Sequence, residues 1–137
     1  MAKYTSDGIY TFIRNRILAV YSDMYVTAGE EPIPARGPAV RVREVDRYKP
    51  IRNITLMHDD GQFHAEWEVQ VYSNLFNGRT SEAYDIMEVA ESAFRELFFI
   101  ESSCVPVERA NNRVTRLVAR FERQIGGGDQ MPNEEEP

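Results

Sequence analysis

The residues best suited to chemistry lie between positions 58 and 68. His58, Asp59, Asp60, His64 and Glu66 are the only grouping with metal-ligand character. Zinc asks for three or four such ligands fixed by further hydrogen bonds, and for an open position if it is to catalyse. Asp59-Asp60-Gly61-Gln62 reads instead as a hairpin turn, where acidic residues bond their own backbone. The two histidines then sit on an exposed face, and no metal is expected. Glu66 and Glu68 form a carboxylate pair, but two residues apart on a strand they share one solvent face. Acid–base work needs surroundings that drive two pKa values apart. Ser73, Ser81, Ser102 and Ser103 lack the strand–turn–helix setting of an activated nucleophile. Gly126-Gly127-Gly128 follows the last periodic segment instead of joining strand to helix, so it cradles no phosphate. Cys104, the single cysteine, excludes an intramolecular disulfide and reads as a small, half-buried side chain. The sequence predicts no enzyme and no cofactor.

The elements that would position these residues are legible from their periods. Ser6 or Asp7 caps a helix whose apolar stripe is Ile9, Phe12, Ile13, Ile17, Val20, Tyr21 and Met24. Residues 29–38 hold three prolines and two glycines and form a loop or arm. Val40 and Val42 alternate with Arg41 and Arg43, and the alternation slips at Val45, which predicts a bulged strand. A short strand follows at 54–58. Phe63, Ala65, Trp67, Val69 and Val71 then alternate with His64, Glu66, Glu68 and Gln70, one face for the core and one polar. Ala83, Ile86, Met87, Ala90, Phe94, Leu97 and Phe98 mark a second helix, capped by Thr80 or Ser81, with an acidic outer side. Residues 112–125 fit a helix or a strand equally well by period alone. Residues 126–137 read as a flexible acidic tail behind a single domain at 1–125.

The 137 residues carry a net charge of −6, and 14 of the 16 basic residues are arginine. Such a balance disfavours a general nucleic-acid binder, whose affinity comes largely from neutralising phosphate. No window is apolar enough for a membrane span, and the N-terminus lacks a signal peptide's apolar core, so a cytoplasmic product is expected. The charge is segregated. Arg36–Arg52 and Arg109–Arg123 each sum to +4, Glu82–Glu101 to −5, and the tail supplies −4. Two readings follow. In one, the charges pair within the chain, for example Glu66 or Glu68 with Arg116 or Arg120 across strands. In the other, Arg41, Arg43, Arg47, Arg116 and Arg120 meet Glu82, Asp85 and Glu88 of the next subunit, since the arginine fork holds carboxylates in fixed geometry. Head-to-tail contacts of that kind close into rings when the rotation allows.

Glu68-Val69-Gln70-Val71-Tyr72-Ser73-Asn74, a polar gap, a helix from Thr80-Ser81-Glu82-Ala83, and Leu117-Val118-Ala119-Arg120-Phe121-Glu122-Arg123-Gln124-Ile125-Gly126 occur in a fixed order. That order resembles the tail terminator (tail-completion, minor capsid) proteins of long-tailed bacteriophages. The resemblance implies an α+β two-layer sandwich in the order α-β-β-β-α-β, with about four mainly antiparallel strands, both helices on one face, and a strand at 114–125. It further implies a structural virion protein of the tail and neck, assembled in the host cytoplasm as a hexameric ring. Its partners would be its own copies, the tail tube protein and the head–tail connector or head-completion protein, with DNA as passing cargo. An acidic lumen lining by Glu134, Glu135 and Glu136 would let phosphate pass without sticking. The reading from another class is a monomeric or dimeric adaptor that binds a partner strand along its sheet edge.

Overall fold

A computed structural model describes residues 4–29, 38–48, 63–73, 81–107, 115–126 and 131. The strand expected at 54–58, the turn after it, nearly all of the 29–38 arm and most of the tail lie outside these residues.

Helix α1 (Ser6–Val20) is followed by β1 (Tyr25–Thr27), β2 (Ala39–Tyr48), β3 (Phe63–Ser73), α2 (Ser81–Glu96), β4 (Ile100–Val107) and β5 (Thr115–Ile125). Its N-cap is Thr5, one residue before the expected Ser6, and the Thr5 hydroxyl accepts the Gly8 amide at 2.9 Å. An extended Thr5 can present its oxygen to the orphan amides of the first turn. The strands form one sheet in the order β1-β2-β3-β5-β4, antiparallel except for the β1–β2 pair. The α+β architecture is as expected, with five strands among the described residues. The additions are β1 and β4, and the segment with two possible periods is strand β5.

Both helices pack on one sheet face and share a single core with it. Ile9, Phe12, Ile13 and Ile17 from α1, with Ala83, Ile86, Met87, Ala90 and Phe94 from α2, close over Val40, Val42, Trp67, Val69, Val71, Leu117, Ala119 and Phe121. Phe94 stacks on Phe121 with centroids 4.4 Å apart and lies 6.1 Å from the Trp67 ring centre. Such aromatic packing adds about 1 kcal/mol per pair to the area buried. Met131, in the stretch expected as tail, is buried in the same core.

The slip in β2 is a true irregularity, with the β2–β3 register shifting between Glu44 and Asp46. Before it, even residues of β2 face the helices; after it, odd residues do. Glu44 and Arg47 therefore both point to the α1 side. There Tyr4 and Ser6 donate hydroxyl bonds to Glu44, and Arg47 reaches Glu44 at 3.1 Å and the Ser6 oxygen at 2.8 Å.

The end of α2 departs from its expected stripe. Phe98 leaves the helix with φ of 63° and is 77% exposed, while Phe99 takes the core position. Phe99 N–H bonds back to the Phe94 carbonyl at 3.0 Å and Phe98 N–H to that of Arg95 at 2.9 Å. This left-handed stop is one that glycine usually occupies.

Candidate functional site

The sheet face away from the helices is where the arginine blocks converge. The ladder registers place its side chains in cross-strand rows. Ala39, Tyr72, Arg116 and Val107 make the first row, and Arg41, Gln70, Val118 and Val105 the second. Arg43, Glu68, Arg120 and Ser103 are the third; Asp46, Glu66, Glu122 and Ile100 the fourth; Tyr48, His64 and Gln124 the last. The face is thus basic at one end, around Arg41 and Arg116, and acidic at the other, around Asp46, Glu66 and Glu122.

Its centre is closed to solvent with no helix above it among the described residues. Glu68 and Gln70 are only 4% and 3% exposed. This corrects the expectation that Glu66 and Glu68 share a solvent face: Glu68 is buried and Glu66 half-buried. The Nε atoms of Arg41, Arg43 and Arg116 are shielded from water, so the long stems lie along the sheet. Arg43 approaches Glu68 at 3.2 Å and Arg120 at 2.9 Å, while the other Arg120 amino group meets Glu66 at 3.0 Å. The Gln70 amide donates to Glu68, Tyr72 donates to the Gln70 carbonyl oxygen at 2.5 Å, and the Arg116 guanidinium lies 5.7 Å from the centre of the Tyr72 ring. Burial alone would raise the Glu68 pKa. The Gln70 bond and the two guanidinium groups outweigh it and hold the carboxyl below its ordinary value.

The intramolecular pairing foreseen for Arg120 with Glu66 and Glu68 is therefore present. Arg41, Arg43, Arg116 and Arg120 share this face. Arg47 does not; it sits on the helix side, 4.8 Å from the Tyr4 ring centre and 5.1 Å from that of Phe63. His64 bonds Glu122 at 3.1 Å and stacks 4.9 Å from Tyr48. Its expected neighbours His58, Asp59 and Asp60, like Glu134, Glu135 and Glu136, lie outside the described residues.

The acidic surface is on the opposite layer. Asp85 and Glu88 are exposed along α2, and Glu82 accepts the Ser73 hydroxyl at 2.6 Å at the start of the helix. Partial burial and the potential of Asp85, Glu82 and Glu88 raise the pKa of the Tyr21 phenol. Beside α2, a groove of about 360 Å³ runs between Val20 on α1 and Val89 and Ala93 on α2, bridged by Arg16 and Glu96 at 3.0 Å.

Glu91, Glu101 and Cys104 place ligand-type atoms within 4.8 Å of one another. Burial and a hydrogen bond with Glu91 push Glu101 up to about 7, and burial raises Cys104 too. Cys104 is half-buried, as its sequence context suggested.

Two features carried little sequence signal. Phe98 and Ile100 protrude beside the edge strand β4, 77% and 74% exposed. The run Leu97-Phe98-Phe99-Ile100 offers one more apolar residue than a helical stripe can bury, which is its only hint.

No protein-family model matches the sequence, and no curated protein does. Among solved structures, a chain from the virion of a native gene transfer agent particle superposes with a TM-score of 0.52 at 11% identity, covering 88% of this chain and 92% of that one. A chain from the sheath/tube terminator structure of an extracellular contractile injection system gives a TM-score of 0.43 at 8% identity, covering 100% of this chain and 62% of that one. The first of these likenesses establishes a shared fold.

Proposed function

We propose that this protein is a tail terminator: a structural subunit forming a ring, of six copies by the family resemblance, at the head-proximal end of a phage-type tail. The observation that carries the reading is the fold shared, over 88% of this chain, with a component chain of a gene transfer agent virion. The order of motifs from Glu68 to Gly126 points the same way. The ring would end tube polymerisation and give the head connector a docking surface, its mechanism steric and associative with no catalytic step.

The charge layers suit such a ring. Within one subunit the basic end of the open sheet face and the carboxylates of α2 lie on opposite layers, so they cannot neutralise each other. Head-to-tail contact brings them together. In that contact Arg41 and Arg116, at the basic end, take the leading part opposite Asp85 and Glu88. Arg43, Arg120 and Arg47 act mainly within the subunit, and Glu82 flanks the contact. Glu134, Glu135 and Glu136 line the lumen and repel passing DNA.

The test is electron microscopy of the full chain alone and mixed with tail tubes. Rings, or density capping one tube end, are expected, and the double variant Asp85→Lys/Glu88→Lys should fold normally yet cap poorly. A protein that stays monomeric and never binds tube ends sinks the reading in favour of an adaptor. A capped structure with a strongly basic lumen removes the assignment of the acidic tail.

A further inference from the structure

The sheet ends in two dissimilar edges. On one side lies β4, eight residues long, paired only with β5 among the described residues. On the other, β1 covers β2 only from Ala39 to Arg41, which leaves Val42–Tyr48 with its outer edge uncovered by any described residue. Native edges are usually blunted by charge, above all by lysine. β4 reads Ile-Glu-Ser-Ser-Cys-Val-Pro-Val, with a single charged side chain and none that is basic, so that Pro106 and the register shift between Glu101 and Ser103 are what blunts it.

Strand polarity favours joining these edges. β2 is antiparallel to β3, β3 to β5, and β5 to β4, so β2 and β4 run in opposite directions. A neighbouring copy placed beside the sheet in the same orientation, as in a ring, presents β2 antiparallel to β4. Antiparallel is the better-aligned hydrogen-bonding mode.

The side chains agree with that polarity. Ile100 occupies the row of Glu122, Glu66 and Asp46, and Tyr48 the row next to it. Phe98 and Ile100 on one edge and Tyr48, 43% exposed, on the other therefore sit at the same end of the sheet. Lateral contact between copies brings these apolar groups together. It also sets Glu101, with Glu91 behind it, near Arg47, which like Glu101 lies on the helix side of its strand. Phe98 is held outward at a backbone cost, in a left-handed position suited to glycine. Arg123 braces it, donating to the Leu97 carbonyl at 2.9 Å with its guanidinium 5.8 Å from the Phe98 ring centre.

We propose that β4 of one copy adds antiparallel to the Val42–Tyr48 edge of β2 in the next copy, with Phe98 and Ile100 seated on Tyr48, so that one sheet runs on from subunit to subunit. The proposal rests on the ring reading above but joins neighbours edge to edge, in place of the contact of sheet face on α2, and its test is separable from that reading.

In a Cys104→Ser background, the double variant Ile100→Cys/Tyr48→Cys is oxidised mildly and its mass distribution measured. Ile100→Cys/Asp46→Cys covers the adjacent register. A disulfide-linked ladder reaching the ring's copy number is expected from at least one pair, while Ile100→Cys alone stays unlinked. Equimolar Ile100→Cys and Tyr48→Cys single variants should stop at a mixed dimer. Linking by Ile100→Cys alone overturns the proposal in favour of a two-fold β4–β4 contact. Rings that form without a ladder in either register overturn the edge pairing and leave the terminator reading standing. A ladder with no capping of tube ends does the reverse. A protein monomeric up to its solubility limit overturns both. As a second readout, Phe98→Gly should raise the melting temperature by roughly 2–4 °C through relief of the left-handed backbone while weakening assembly. Assembly unchanged in Phe98→Gly and in Ile100→Lys/Val105→Lys also overturns it.

Discussion

Arg120 reaches across the β3–β5 ladder and holds the buried Glu68 carboxylate at 2.9 Å, in the same row in which Arg43 approaches it from β2 at 3.2 Å. A buried carboxylate with a guanidinium on each side makes the open sheet face part of the fold's own stability. Glu68→Ala should cost about 1–3 kcal/mol, less than a fully interior pair, because Arg120 stays partly hydrated when its partner is lost. Urea denaturation would read it; a wild-type midpoint would show that the network contributes nothing.

The same carboxyl sets an acid limit. Its folded pKa lies below the ordinary 4.5, so near that pH the unfolded chain binds more protons than the folded one. The stabilisation is present above pH 4.5 and is lost as pH falls through the folded value. Stability followed down from neutral pH should decline less steeply in Glu68→Gln than in wild type; parallel profiles would contradict the assignment.

Glu101 has the opposite sign. Burial and Glu91 raise its carboxyl to about 7, so between pH 4.5 and 7 the folded chain holds the extra proton. Stability should therefore fall as pH rises across that window and level off above it. Glu101→Gln keeps the hydrogen bond without the charge and should flatten this descent. An unchanged slope would mean that Glu91 and Glu101 do not share a proton.

Reversing Arg43 separates the two roles considered for the arginines. Arg43→Glu sets a carboxylate beside the buried Glu68 and should destabilise the isolated subunit by about 1–3 kcal/mol. Asp85→Lys on exposed α2 should leave the melting temperature near wild type. Equal effects of the two on monomer stability would remove the distinction between fold-holding and contact-making charges.

Trp67→Ala should cost about 3–5 kcal/mol, since it empties the space against Phe94 and Phe121. Thermal denaturation is sufficient to measure it.

How much of this was legible depends on how each element meets water. β3 was plain because one of its faces is wholly core, from Ala65 to Val71. The slip in β2 was visible because Glu44 and Val45 break an otherwise regular alternation. β4 gave no signal. An edge strand exposed over most of its length has no apolar phase to show, and its register with β5 shifts between Glu101 and Ser103. β1, three residues long, is shorter than any period can reveal. Phe98 was assigned to the stripe of α2 because spacing cannot register that the backbone turns left-handed there. As for the candidate site, the residue types were readable but not their partners. Whether Arg120 or Arg116 faces Glu68 depends on ladder register, a long-range property, and the burial of Glu68 on the face away from the helices is nothing an alternation pattern records.

The Tyr4 hydroxyl accepts the Trp67 indole N–H at 2.8 Å and donates to Glu44 in turn. Since the chain contains one tryptophan, its fluorescence is a private channel on the N-terminal latch. Quenching or a spectral shift of this single fluorophore would signal release of Tyr4 from the sheet. Glu44 belongs to the Val42–Tyr48 edge of β2 and lies opposite Trp67 in the β2–β3 ladder, so a strand docked along that edge would report through the same fluorophore.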